Sequence, residues 1–159
     1  MYRITGNYGQ ALEMHLRSLQ AAERIADKDG MARAFNNMGI VYSEQRESEK
    51  AISYFKRTKQ LAELLNDTDL LVIALTNLGS DYALLNKLDS ARIYTQQAYE
   101  LVLQNNSEGA NVLLLNLGNI HYRMGLLPLA LEYYRMSIPL SKQANDAKTL
   151  GQTYFEMGM

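Results

Sequence analysis

A block built around glycine returns four times along the chain at almost constant spacing: Asn37-Met38-Gly39, Asn77-Leu78-Gly79, Asn116-Leu117-Gly118 and Glu156-Met157-Gly158, the glycines 40, 39 and 40 residues apart. A second series, Ala11, Ala51, Ala91 and Ala130, interleaves with it at 40, 40 and 39. Self-similarity at a fixed period of this length marks a solenoid, in which each repeat buries its apolar face only against its neighbours. Such a chain has no single central core, so its length sets the number of repeats rather than the size of one domain.

Within each period two helical stripes can be read. Phe35, Met38 and Tyr42 fall at i, i+3 and i+7, and the pattern recurs as Leu75, Leu78, Tyr82 and as Leu114, Leu117, His121. A second stripe follows each time: Ala51, Tyr54, Phe55; Ala91, Tyr94, Ala98; Ala130, Tyr133, Tyr134. Short breakers separate the two helices of a pair at Arg46-Glu47-Ser48, Asn86-Lys87 and Gly125 to Pro128. Between pairs stand Asp27 to Gly30, Asn66 to Asp69, Asn105-Asn106-Ser107 and Asn145-Asp146, residue types that favour turns and N-caps because their side chains bond free backbone N–H groups. Pro128 suits a first helical turn, where a missing N–H costs nothing. Pro139 falls well inside its helix, lacks an N–H for the Arg135 carbonyl, and predicts a kink or an early end there.

The regular glycines predict close helix approach. A mid-helix glycine costs ~1 kcal/mol against alanine, so its recurrence implies a packing reason. Gly39, Gly79 and Gly118 would admit the second helix of each pair, with Ala51, Ala91 and Ala130 doing the same from the other side.

The order Leu or Met, Gly, Tyr three residues on and Ala twelve after the Gly resembles the tetratricopeptide repeat, and the resemblance covers essentially the whole chain. The usual period is about 34 residues; the longer period here, with blocks such as Asn116-Leu117-Gly118-Asn119, is similar to the subfamily containing the LGN polarity adaptor and to bacterial tetratricopeptide signalling proteins. Departures are local. The aromatic four residues before the glycine is present as Phe35 and Tyr154 but replaced by Leu75 and Leu114, and Thr95 replaces the aromatic found at Phe55 and Tyr134. The implied fold is all-α, a right-handed superhelical solenoid of antiparallel helix pairs.

The chain is expected to be one array: a partial repeat over 1–29, repeats over 30–68, 69–107 and 108–146, and a partial repeat over 147–159. It begins and stops in mid-repeat. Met1 to Thr5 reads as the last turn of a first helix, Tyr2 stands where Tyr42 stands one repeat later, and Met159 follows the fourth glycine by one residue. A fragment of a longer protein is therefore expected. Apolar surface is expected at its ends, around Met14 and Leu19 and around Tyr154, Phe155 and Met157, through which copies would self-associate.

Composition narrows the function classes. With 16 basic and 17 acidic residues the charge is nearly balanced, and no basic stripe of the kind nucleic-acid binders carry is present. The densest apolar runs, Leu70 to Leu75 and Val112 to Leu115, fall far short of the ~20 residues that span a bilayer. A cytoplasmic location is expected. Zero cysteines exclude disulfides and thiolate chemistry. The two histidines, His15 and His121, occupy core-facing slots, and the glycines sit singly inside helices rather than in a phosphate-cradling loop. Most of the eleven tyrosines fall on the helix–helix stripe, which makes them core rather than a stacking platform. No catalytic residue, metal site or cofactor is expected.

Winding the first helix of each pair at 100° per residue isolates the residues pointing away from its core stripe. They are Arg33, Asn36, Asn37, Ile40 and Glu44; Ile73, Thr76, Asn77, Ser80 and Leu84; Val112, Leu115, Asn116, Asn119 and Arg123; and finally Gln152, Phe155 and Glu156. The resemblance implies that this face lines a concave groove. Asn37, Asn77 and Asn116 form a ladder at identical positions, and an amide offers the donor and the acceptor that an extended peptide backbone needs. The other reading of the ladder is that each amide bonds a neighbouring helix. Ile40, Ile73, Leu84, Val112 and Leu115 put apolar surface where solvent is expected, the usual sign of a binding site. The clamp that some relatives use for a C-terminal carboxylate needs several basic residues, and Thr76 and Leu115 hold slots where lysine would be wanted. The expectation is a non-catalytic scaffold for a protein or peptide segment. Its alternatives are a sensory module controlling an output domain and a self-association element.

Overall fold

The computed structural model describes residues 5–105 and 108–158, with only the backbone at 5–7. Tyr2, Asn106, Ser107 and Met159 lie outside the described residues. Eight helices follow one another, with no strand among the described residues: α1 (Thr5–Arg24), α2 (Lys28–Glu44), α3 (Ser48–Leu65), α4 (Thr68–Leu84), α5 (Leu88–Gln104), α6 (Ala110–Arg123), α7 (Leu127–Gln143) and α8 (Ala147–Glu156). Thr5 belongs to α1, and Met1 to Ile4, the expected end of a preceding helix, lie outside the described residues.

Turn chemistry repeats as faithfully as the helices do. At six helix ends a residue adopts positive φ: Ala26, Arg46, Asn66, Asn86, Gly125 and Asn145. The next N–H then reaches back to a carbonyl five residues earlier, as Asp27 does to Ala22 and Leu126 to His121, both at 2.9 Å. This is the Schellman closure, and Gly or Asn is its natural occupant. Asp27, Asp67 and Asp146 then cap the following helices, each carboxylate accepting from the N–H three residues on at 3.0 Å. The hydrogen bonds from the Thr149 hydroxyl and N–H, reinforced by Asn111, hold the Asp146 carboxyl below the ordinary carboxylate range.

Sequential helices pack as antiparallel pairs, and the first helices α2, α4, α6 and α8 also touch in series, whereas α1, α3, α5 and α7 do not touch one another. The first helices therefore form the inner layer of a curved array. The core is a string of small clusters: Leu19, Ala34, Phe35 and Met38 are one, Ala51, Ile52, Phe55 and Leu78 the next. Ring pairs recur on the stripes read from sequence. Tyr42 stacks on Tyr54 at 5.4 Å, Tyr82 on Tyr94 at 5.3 Å and His121 on Tyr133 at 4.9 Å.

Two expectations about the helices need correction. α7 continues unbroken as helix through Pro139 to Gln143, so proline does not end it early. Leu19 is 7% exposed under α2 and is not part of an open end, although Met14 is 70% and Phe155 79% exposed.

Candidate groove on the first helices

The glycines do what their spacing implied. A Cβ on Gly39 would lie 2.5 Å from the Phe55 ring, and one on Gly118 would lie 2.3 Å from the Tyr134 ring. At Gly79 the neighbour is the Thr95 hydroxyl at 2.3 Å, with the α5 backbone next, Thr95 N at 3.3 Å and the Ala91 carbonyl at 3.4 Å. Each glycine thus seats the side chain sixteen residues later. Tyr134 is fully buried and donates its hydroxyl to Asn119 Oδ1 at 2.7 Å. Burial, with the negative charge of Glu156 next, pushes its phenol up to about 12.

On the inner face, Ser80, Asn116, Asn119 and Arg123, all identified from sequence, converge on one cavity of about 150 Å³ between α4 and α6. Gly79, Ala83 and Ile120 complete its walls, and Thr95 of α5 forms its floor. The sequence list did not include these four. The signal for them was the break in pattern at Thr95.

The asparagine ladder has unequal rungs. Asn37 is exposed, and Asn77 and Asn116 are half-buried. Asn77 donates to Asn36 Oδ1 across α2 and α4 at 3.1 Å, so this rung ties adjacent helices together. Asn36 itself is 9% exposed. The apolar positions Ile40, Ile73, Leu84 and Val112 are between 37% and 50% exposed, whereas Leu115 is only 3% exposed. Leu115 is therefore not groove surface: α8 packs on α6, and Leu115 clusters with Ala130, Tyr134 and Met157. Thr76 folds its hydroxyl back onto the Val72 carbonyl at 2.8 Å.

Both groove cations have partners. Arg33 binds Asp29 at 2.8 Å and approaches Asp67 at 3.9 Å, and these carboxylates raise its guanidinium further. Arg123 donates to Asn86 Oδ1 at 3.2 Å. His121 is buried and donates Nδ1–H to the Leu117 carbonyl at 2.7 Å, while His15 is half-buried on α1. Among the described residues no group of three or more His, Asp or Glu side chains is gathered to hold a metal, and no helix is long and apolar enough to cross a membrane. Among the described residues one buried side-chain polar atom lacks a hydrogen-bond partner, Asp81 Oδ1, on a residue 1% exposed at the slot held by Val41 and Ile120 in the flanking repeats.

Paired helices, a glycine seat in each pair and an inner layer of first helices define an α-solenoid of the tetratricopeptide class. Residues 1–63 match the tetratricopeptide repeat family model. No curated protein sequence matches the chain. Among solved structures, the apo form of RapI is similar with a TM-score of 0.91 and 16% identity, over 96% of this chain and 56% of that one. BtubC from P. vanneervenii is similar with a TM-score of 0.79 and 18% identity, over 95% of this chain and 64% of its own. The Rap conjugation gene regulator of the plasmid pLS20, solved in complex with the Phr* peptide, gives 0.69 and 17% over 95% of this chain and 47% of that protein. This chain therefore spans roughly half to two thirds of the length of these relatives in fold.

Proposed function

We propose that the array is a non-catalytic scaffold that holds a protein or peptide segment along the inner face of α2, α4 and α6. The observation that carries this reading is the convergence of Ser80, Asn116, Asn119 and Arg123 on one cavity between α4 and α6, helices that also carry the exposed apolar residues Ile73, Leu84 and Val112. Amides and a guanidinium around apolar surface suit a peptide, whose backbone needs donors and acceptors and whose side chains need burial. First helices of adjacent repeats stack ~8–10 Å apart, and an extended peptide rises ~3.3 Å per residue. One asparagine rung therefore serves about three ligand residues. Asn37 and Asn116 are the rungs with most freedom to do so; Asn77 shares its amide with Asn36.

A regulatory version of this reading is favoured by the likeness to the pLS20 regulator, which is held in complex with a peptide. Here the bound segment would be a signal, and an output domain would respond. The test of the groove is selection of binders from a random peptide display library, followed by calorimetry. Asn37→Ala or Asn116→Ala should each cost about 1–3 kcal/mol, roughly 5- to 150-fold in Kd, by stranding a desolvated peptide group. Selected peptides that bind the double Asn37→Ala, Asn116→Ala variant at full strength would overturn the groove reading.

A further inference from the structure

The middle repeat lacks a side chain that both flanking repeats possess. Phe55 lies over Gly39 and Tyr134 over Gly118, each 1% exposed and each in contact with its glycine. Over Gly79 the chain has Thr95 instead, a smaller side chain whose hydroxyl lies 2.3 Å from where a Cβ would stand. What remains is the cavity between α4 and α6, about 150 Å³, floored by Thr95 and walled by Gly79, Ala83 and Ile120. Its volume matches that of a cavity that holds one benzene molecule, although Ser80, Asn116, Asn119 and Arg123 make part of its lining polar.

We propose that this cavity is a receptor for one aromatic ring, the phenylalanine or tyrosine side chain of a bound peptide, standing where Phe55 and Tyr134 stand in the neighbouring repeats. The peptide part of this proposal rests on the groove reading above; the ring pocket rests on Thr95 and Gly79. The two small residues are matched. Gly79 seats only the Thr95 hydroxyl, and Thr95 carries no long side chain that could fold into the gap. The wall chemistry fits a ring and its peptide. Ile120 and Ala83 offer apolar contact, and the exposed Arg123 at the mouth can lie over an aromatic face, where a cation is attracted to the ring quadrupole. Asn119 already accepts the Tyr134 hydroxyl on its oxygen, which leaves its amide N–H groups as donors toward a tyrosine hydroxyl or the peptide backbone.

The test uses N-acetyl-phenylalanine amide as the probe, with N-acetyl-alanine amide as its control, titrated into the isotope-labelled full chain and followed by amide chemical shifts. Saturable shifts should be confined to the amides around Gly79 to Ala83, Thr95 and Asn116 to Arg123, and the alanine probe should bind at least tenfold more weakly. Thr95→Phe, which supplies the ring from within, should abolish the shifts and raise the melting temperature. Ser80→Leu, which blocks the mouth from the exposed side, should abolish them without touching the floor and so covers the case in which Thr95→Phe misfolds. Shifts that persist in both variants, or equal response to the alanine probe, would overturn the pocket. Library-selected peptides separate this from the groove reading. Peptides weakened by Asn37→Ala but indifferent to Thr95→Phe would keep the groove and eliminate the pocket. Loss of at least tenfold in Kd on Thr95→Phe, with Asn37→Ala silent, would keep the pocket and eliminate the ladder.

Discussion

Alanine at the three helix-seat glycines should have three different effects, and the differences follow from what each glycine carries. At Gly118 the new methyl would stand 2.3 Å from the Tyr134 ring, and at Gly39 2.5 Å from the Phe55 ring. Both are about 1 Å short of the ~3.5 Å at which carbon atoms pack. Neither ring can withdraw cheaply, because each is 1% exposed and Tyr134 is also tied to Asn119. Overpacking of this kind costs about 1–3 kcal/mol, and replacing a mid-helix glycine by alanine returns about 1 kcal/mol. The net expectation is a loss of up to about 2 kcal/mol at either site. At Gly79 the close atom is a hydroxyl oxygen that leaves by rotation about χ1, and the next neighbours stand at 3.3 and 3.4 Å. Gly79→Ala should therefore be close to neutral. Urea unfolding followed by far-ultraviolet circular dichroism measures the series. A second arm sharpens it: in a Tyr134→Ala background the clash is gone, so Gly118→Ala should turn stabilising by about 1 kcal/mol. Equal losses at all three glycines, or no change of sign in that background, would refute the seat argument.

Three further outcomes are expected. Asp81→Val, which restores the residue type of Val41 and removes a buried carboxylate oxygen without a partner, should stabilise the array by about 1–3 kcal/mol in thermal denaturation; a loss would mean the carboxylate has a role in the fold. Ala26→Gly and Arg46→Gly relieve side chains held at φ 54° and 63°, and each should gain about 1 kcal/mol, while the same change at Asn86 gains less because Asn tolerates that conformation. Tyr134 keeps its proton in the folded state up to about pH 12 while an unfolded tyrosine loses it near 10.0, so the stability it contributes is intact below pH 10 and is lost as pH rises between the two values; Tyr134→Phe should flatten that alkaline decline, and an unchanged slope would assign it to other groups.

What the order of residues determined alone is the one-dimensional part of this protein. Period, helix pairing, caps and core stripes are nearest-neighbour properties, and in a solenoid nearest neighbours along the chain are also neighbours in space. Gly39, Phe55 and Tyr134 are therefore legible in the sequence, as is the interruption at Thr95. Burial on the inner face was not, because it depends on which helix of the next repeat lies across it. Leu115 has the same position in its repeat as the half-buried Thr76, yet it is core, since α8 packs on α6 and Leu115 clusters with Met157. Asn77 has the same position as Asn37, yet it reaches Asn36 of the preceding repeat while Asn37 stays exposed. The cavity at Thr95 needed both levels. Sequence shows that a ring is missing; only the stacking of α6 on α4 turns the missing ring into a walled space rather than a dent filled by its neighbours.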